Sequence, residues 1–271
     1  TARQVIVQGI REAEQGMIYD EFCNKEHELL TGIVTRIDPR NGSVTLRIHS
    51  GSEFTDAYLG TNEQVKGEHY VEGQRLKVYV VEVRHATKGP QVLISRTHPG
   101  LVKRLFEMEV PEIYDGTVEI KSVAREAGSR TKLAVWSADP NVDPIGACVG
   151  PKGQRVNTIV EELKGEKMDI IRFSEDPAQY IAAALSPADV VSVEELPDGK
   201  SCRVVVPDDQ LSLAIGKEGQ NARLAAKLTG YKIDIKPASA PAEDPAETED
   251  LFAESAPAEE TAESETAKTE A

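Results

Sequence analysis

The chain has 271 residues, a length that allows two or three small domains. Of these residues 28% are charged, and the formal net charge is −15. It contains no apolar run near the roughly 20 residues that span a bilayer and no recognisable signal peptide, so we expect a cytoplasmic protein without a membrane partner. The three cysteines (Cys23, Cys148 and Cys202) are far apart, which excludes a disulfide framework or a metal motif and predicts reduced thiols and no cofactor.

Residues 2–22 are predicted to form an amphipathic helix within a first segment that covers residues 1–26. Ile6, Ile10, Ala13 and Met17 recur at three- and four-residue spacing between charged residues. We interpret this segment as the helical end of a missing N-terminal domain. The alternative is an N-terminal helix docked on the domain that follows.

Residues 27–98 change to the two-residue period of β-strands. Val44, Leu46 and Ile48 alternate with polar residues, and five such segments fit within about 70 residues. This pattern predicts an all-β OB-fold barrel, a common platform for single-stranded nucleic acid. Three tyrosines can either stack on bases or fill the barrel and its rim: Tyr58, Tyr70 and Tyr79.

Residues 99–176 predict the first of two α+β units. A helix and two strands precede Asp143, which can cap the next helix with Pro144 at its first position. The turn Gly150-Pro151-Lys152-Gly153 follows, and then a helix and a strand. This order is that of a prokaryotic-type (type II) KH domain, whose Gly-x-x-Gly turn clamps about four nucleotides.

Residues 177–237 repeat the same plan around Gly216-Lys217-Glu218-Gly219. A glutamine follows each turn, and each second helix leads into a strand that begins Lys-x-Asp-Ile. Two copies in register favour tandem KH domains over an ordinary helical hairpin. The phosphate-loop pattern Gly-x-x-x-x-Gly-Lys-Ser/Thr is absent.

The two turns supply the candidate RNA-binding residues. Glycine lets a sugar-phosphate backbone approach the main chain, and the helix that starts at each turn points its free N–H groups at a phosphate. The candidates are Ile145, Val149, Gly150, Pro151, Lys152, Gly153, Gln154, Arg155, Ile215, Gly216, Lys217, Glu218, Gly219, Gln220, Asn221 and Arg223. A wider basic face on the first unit is a second possibility, against scattered solvated charges: Lys121, Arg125, Arg130, Lys132, Lys152 and Arg155.

The negative charge is concentrated in the last part of the chain. Residues 239–271 contain eleven acidic residues and one lysine, and they are mostly Ala, Glu, Pro, Thr and Ser. We therefore predict a disordered acidic tail over residues 238–271. The rest of the chain is only mildly acidic, so local basic surfaces can still bind nucleic acid.

The chain resembles the NusA family of bacterial transcription termination/antitermination factors between about Ala2 and Pro237. The stretches that carry the resemblance are Ser95–Thr97, Leu105-Phe106, Glu109–Ile113, Asp143–Arg155, Gly165–Lys167, Ala184–Pro187 and Leu213–Leu228. The resemblance implies an S-one-type barrel, a preceding polymerase-binding domain that is missing here, and nascent single-stranded RNA as ligand. It also implies RNA polymerase as partner, mainly through that missing domain, further antitermination factors, a monomeric state, and effects on pausing, termination and antitermination.

Two other classes remain open at this stage. One is the RNA-binding end of an RNA-degrading enzyme, although such enzymes usually place a single KH domain before the barrel. No nucleophile–base pair, metal cluster or phosphate loop is recognisable in residues 1–237, so we expect no enzymatic activity. The other class is a protein-interaction scaffold that binds no RNA.

Overall fold

The computed structural model describes residues 2–86 and 89–240, with the side chain of Ala2 excepted. The predicted disordered tail falls outside these residues except for positions 238–240. No helix in the described part has both the length and the apolar character needed to cross a bilayer.

The predicted N-terminal helix is confirmed as α1 (Ala2–Cys23). Its C-terminal end packs on the barrel, where Phe22 is fully buried and Ile18 lies against the same core. Ile6 and Ile10, farther towards the N-terminus, are exposed. Only the last turns of α1 therefore contribute to the barrel core.

The barrel is closed by five strands in the order β1-β2-β3-β5-β4. The strands are β1 (Leu29–Ile37), β2 (Val44–Ser50), β3 (Glu53–Leu59), β4 (Arg75–Ala86) and β5 (Gly89–Ser95). The alternating residues Val44, Leu46 and Ile48 all point into the core, as their spacing predicts. A short parallel pairing, Ala57 opposite Val92, closes the barrel. The predicted OB-type barrel is confirmed.

The first KH unit contains a three-stranded sheet in the order β6-β7-β8. Its elements are α2 (Pro99–Glu109), α3 (Pro111–Tyr114), β6 (Val118–Glu126), β7 (Arg130–Ser137), α4 (Pro144–Val149), α5 (Gln154–Glu162) and β8 (Lys167–Arg172). The central strand β7 pairs antiparallel with β6 and parallel with β8. The Gly-x-x-Gly turn joins α4 to α5.

The second unit repeats this topology in a sheet ordered β11-β10-β9. Its elements are α6 (Pro177–Ala184), β9 (Ser192–Glu195), β10 (Ser201–Val206), α7 (Leu211–Ile215), α8 (Gln220–Thr229) and β11 (Lys232–Pro237). Strand β10 pairs antiparallel with β9 and parallel with β11, as β7 does with its neighbours. The two α+β units predicted from the repeated turn are confirmed.

Buried contacts join the three parts of the fold. Tyr79 of the barrel lies in the hydrophobic core of the first KH unit. Ala124, Ala134 and Ile171 of that unit lie in the core of the second. The fully buried Lys132 donates a hydrogen bond to the Ser186 carbonyl oxygen at 2.8 Å. These shared cores fix the two glycine turns relative to each other.

Candidate nucleic-acid interface

Local sequence determines how the first turn begins. The Asp143 carboxylate accepts hydrogen bonds from the N–H groups of Ile145 at 3.3 Å and Gly146 at 3.0 Å. Pro144 occupies the first helical position, where a missing N–H costs nothing. This confirms the predicted cap. Helix α4 then ends at Gly150, which has φ +73° and ψ 175°.

The two Gly-x-x-Gly turns have the same backbone shape. In the first turn, positions one, three and four have φ of +73°, +53° and +77°. In the second turn the corresponding angles are +77°, +54° and +71°. The third position is left-handed although it is not glycine: it is Lys152 in one turn and Glu218 in the other. Two different sequences therefore adopt closely similar main-chain conformations.

The first and last glycines are required for different reasons. A Cβ on Gly150 would lie 2.7 Å from Arg155 Cγ, and one on Gly216 would lie 2.9 Å from the Asn221 backbone nitrogen. Around Gly153 and Gly219 the nearest atoms to such a Cβ are 3.4 Å and 4.0 Å away. The first glycine thus permits close internal packing, and the last leaves free space at the start of the following helix.

The structure places most of the candidate residues at the surface of the two turns. Seven of them are exposed: Pro151, Lys152, Gln154, Ile215, Lys217, Glu218 and Arg223. The others, apart from Asn221, are partly buried: Ile145, Val149, Gly150, Gly153, Arg155, Gly216, Gly219 and Gln220. Leu213 on α7 is 45% exposed beside Ile215, so it adds an apolar contact that the sequence reading missed. The only indication in the sequence was that Leu213 is apolar but lies on a different side of α7 from the buried Ala214.

Two candidate side chains turn inward instead of towards a ligand. Asn221 is 2% exposed, and its Nδ2 donates to the carbonyl oxygens of Leu185 at 3.0 Å and Ala214 at 2.9 Å. The Asn221 side chain is therefore engaged inside the protein, and a role for this position in RNA binding stays a prediction. Arg155 donates to the Ala147 carbonyl oxygen at 2.6 Å and pairs with Glu112 at 2.8 Å. Lysine side chains remain as the exposed cations within the turns.

The wider basic face predicted for the first unit does not form. Arg125 is paired with Glu166, and both side chains are at most 1% exposed. Arg130 and Lys132 both pair with Asp169, at 2.7 Å and 3.0 Å. Their partners lie 37 to 41 residues away in the chain, so no local pattern could reveal them. Lys121 pairs with Glu119 and lies over the Trp136 ring.

The three barrel tyrosines differ in burial and in contacts. Tyr79 is 7% exposed and stacks on His98 with ring centroids 4.5 Å apart, so it fills the junction with the first KH unit. The Tyr70 hydroxyl donates to Glu68 at 2.7 Å, and burial together with this carboxylate raises the pKa of Tyr70. Tyr58 is 38% exposed on the outer face of β3. Tyr58 is therefore the most exposed of the three tyrosines, and stacking of a base on it stays a prediction.

The outer face of β2 and β3 holds aromatic residues that the sequence reading missed. Phe54 is 54% exposed, the Arg47 guanidinium carbon lies 5.2 Å from its ring centroid, and the His49 ring lies 5.9 Å away. Because β2 alternates strictly, the inward Leu46 and Ile48 already required Arg47 and His49 to point outward. This periodicity was the available signal.

A closed five-stranded barrel followed by two type II Gly-x-x-Gly units defines a multidomain protein of the KH class. Family models match in both units: the NusA-like first KH domain over residues 96–173 and the NusA-like second KH domain over residues 177–243. The chain is 51% identical over 252 residues to the transcription termination/antitermination protein NusA of Mycobacterium tuberculosis, covering 92% of this chain and 72% of that protein. The chain therefore belongs to the NusA family, as its motifs indicate.

Two further relatives have the same description. The chain is 59% identical over 243 residues to the NusA protein of Halalkalibacterium halodurans, which covers 90% of this chain. It is 59% identical over 236 residues to that of Bacillus subtilis, which covers 87% of this chain. The chain spans 62% of the length of each of these two relatives.

Proposed function

We propose that this chain is the RNA-binding part of a NusA-type transcription factor and holds single-stranded RNA in its two glycine turns. The supporting observation is the identical backbone shape of the two turns, each with an exposed lysine and an open helix start. The exposed Leu213 and Ile215 give the second turn an apolar border suited to unpaired bases. A perfect duplex should compete poorly with a single strand, and equal competition would contradict this specificity.

The family relationship supports a role in transcription. Relatives are named for termination and antitermination, and we propose nascent RNA as the ligand and RNA polymerase as the partner of a monomeric, cytoplasmic factor. Further antitermination factors are additional candidate partners. In this proposal the domains are the barrel (27–98), the first KH domain (99–176) and the second (177–237). Single-round transcription assays with the wild-type chain and with a turn variant test this role in transcription. Equal pausing and equal terminator readthrough with the two proteins would contradict it.

The direct test of RNA binding reverses the charge of each turn and keeps the glycines. The first variant is Pro151→Asp with Lys152→Asp, and the second is Lys217→Asp next to the existing Glu218. Aspartate tolerates the positive φ of position 152 better than most residues, so the turns should persist. Affinity for a labelled single-stranded RNA should fall in both variants. The slope of log K against log salt should also become shallower, by about 0.7 for each phosphate that is no longer neutralised.

A matched control uses the other end of α5. Lys164 is exposed and has φ +57°, so Lys164→Asp makes the same charge change in the same backbone conformation as Lys152→Asp. RNA affinity should fall for Lys152→Asp and stay close to wild type for Lys164→Asp. Equal affinities for the two variants, with unchanged thermal melts, would show that the turn is a structural hairpin without an RNA-binding role.

The enzymatic alternative is tested separately. The same labelled RNA is incubated with the chain and resolved by length. We expect intact RNA, and processive shortening would favour the RNA-degrading reading over the transcription factor.

A further inference from the structure

The side chains after the second turn are held by a carboxylate of the first KH domain. Arg223 Nε donates to Glu126 Oε1 at 2.6 Å, and Gln220 Nε2 donates to Glu126 Oε2 at 2.8 Å. Gln220 Nε2 also lies 2.7 Å from Ser129 Oγ. Both oxygens of one carboxylate are therefore bonded to residues of α8, the helix that follows the second turn.

Arg223 also contacts the turn itself. Its Nη1 donates to the Glu218 carbonyl oxygen at 3.0 Å, so the guanidinium spans the space between Glu126 and the turn backbone. The corresponding position in the first domain is Asn157, which has no charge, and the residue equivalent to Gln220 is the exposed Gln154. At the first turn, the arginine that follows the last glycine, Arg155, pairs with Glu112 of its own domain. Within the described residues, the bridge to a carboxylate of the other KH domain is found at the second turn.

Glu126 is fixed in place by its own domain. It ends β6, next to Arg125, whose buried pair with Glu166 anchors the start of the β6–β7 hairpin. The Gly128 N–H donates to the same Glu166 carboxylate at 2.9 Å. A ligand that approaches Arg223 therefore meets a carboxylate whose backbone is held in the β6–β7 pairing. The Arg223 side chain is 47% exposed and that of Glu126 is 23% exposed, so the pair lies within reach of solvent and of a ligand.

We propose that Glu126 sets the affinity of the second turn for RNA by competing with phosphate for Arg223 and Gln220. This inference rests on the proposed RNA-binding function. An ionised carboxylate and a phosphate oxygen accept the same charge-assisted hydrogen bonds from a guanidinium. In the free protein Glu126 holds both donors. When single-stranded RNA enters the second turn, a phosphate replaces the carboxylate, and one contact between the two KH domains is lost.

The test is Glu126→Gln, which removes the charge and retains an amide oxygen that can accept from Arg223. Affinity for a labelled single-stranded RNA should rise about two- to fivefold at low salt, the range expected from freeing one partly exposed ion pair. The slope of log K against log salt should steepen by about 0.7, the value of one further phosphate contact. Both changes should disappear in the double variant Glu126→Gln with Arg223→Gln.

Two controls separate this effect from general electrostatics and from local structure. Glu82→Gln removes the same charge from an Arg–Glu pair of the same 2.6 Å length on the barrel, with Arg84 as partner. Ser129→Ala removes a neutral contact of Gln220 without changing charge. Neither should change the affinity or the salt slope, and thermal melts of all variants should agree.

The outcomes distinguish the inference from the proposed function. Unchanged affinity and slope in Glu126→Gln, with weakened binding in the turn variants, would overturn the inference and leave RNA binding intact. Weaker binding in Glu126→Gln would show that the carboxylate only organises the turn. An equal gain of RNA affinity in Glu82→Gln would show that the change in net charge alone causes the effect, and it would overturn the inference. A wild-type chain that binds no RNA would overturn both.

Discussion

Arg155 and Asn221 occupy the same position in the two KH domains and close the same turn with different chemistry. Each lies two residues after the last glycine and donates to a carbonyl oxygen in the last turn of the preceding helix, Ala147 at 2.6 Å or Ala214 at 2.9 Å. Each also packs against the first glycine of its turn. The shape of the turn is therefore maintained from inside, independently of the exposed residues of the turn.

Asn221→Ala should destabilise the protein. The buried Nδ2 satisfies the carbonyl oxygens of Leu185 and Ala214, and loss of such a partner costs about 1–3 kcal/mol. Thermal or urea unfolding measures the change. The exposed Asn157→Ala in the first domain is the control, with an expected effect within about 0.5 kcal/mol. Equal stability of the two variants would contradict the internal role of Asn221.

The two glycines of the second turn should differ in their tolerance of alanine. Gly219→Ala meets only left-handed strain, about 1–2 kcal/mol. Gly216→Ala should cost more, because φ +77° with ψ 173° is a region open almost only to glycine and the new Cβ would lie 2.9 Å from the Asn221 nitrogen. Urea unfolding of both variants gives the comparison. A smaller loss for Gly216→Ala would refute the packing argument.

Arg96→Met should weaken the junction between the barrel and the first KH domain. Arg96 is fully buried, pairs with Glu68 and Glu162, and donates to the Lys77 carbonyl oxygen at 2.8 Å. Its removal leaves a buried carboxylate without its partner, which costs about 3–5 kcal/mol. Arg84→Met breaks the exposed pair with Glu82 and should cost at most about 1 kcal/mol. Calorimetry of both variants measures the two losses of stability. Similar melting temperatures for the two variants would contradict the prediction.

Stability should fall in acid because of Glu166. Burial by itself would raise the pKa of Glu166, but hydrogen bonds from Arg125, Thr131 and the Gly128 N–H outweigh it and lower the pKa. Because the pKa of Glu166 is lower in the folded than in the unfolded state, its ionised carboxylate stabilises the fold. This stabilisation is fully present above the unfolded pKa of about 4.3 and is lost as the pH falls through the folded pKa.

Urea unfolding between pH 7 and pH 3 tests this dependence. Glu166→Gln should be less stable than wild type at pH 7, because a neutral amide replaces the buried partner of Arg125. Its stability should also fall less between pH 5 and pH 3. Parallel pH profiles for wild type and variant would show that another group is responsible for the acid sensitivity.

The sequence by itself determined the elements and the position of the two turns. The period of Val44, Leu46 and Ile48, the cap at Asp143 and the repeated Gly-x-x-Gly strings are local signals, and they depend on interactions within a few residues. Such interactions can be read directly from the order of side chains. They were sufficient to predict the barrel and the two KH domains, whereas the family was inferred from a resemblance to known sequences.

Only the tertiary structure decided which charges and rings are available to a ligand. Lysine, arginine and tyrosine are residue types that often bind RNA. Lys132, Arg125 and Tyr79 are nevertheless buried against partners from distant parts of the chain. Glu126 lies 97 residues from Arg223 in sequence, yet it is in direct contact with it. The physical reason is that an ion pair depends on proximity in space, whereas the sequence pattern specifies only which face of a helix or strand each side chain occupies.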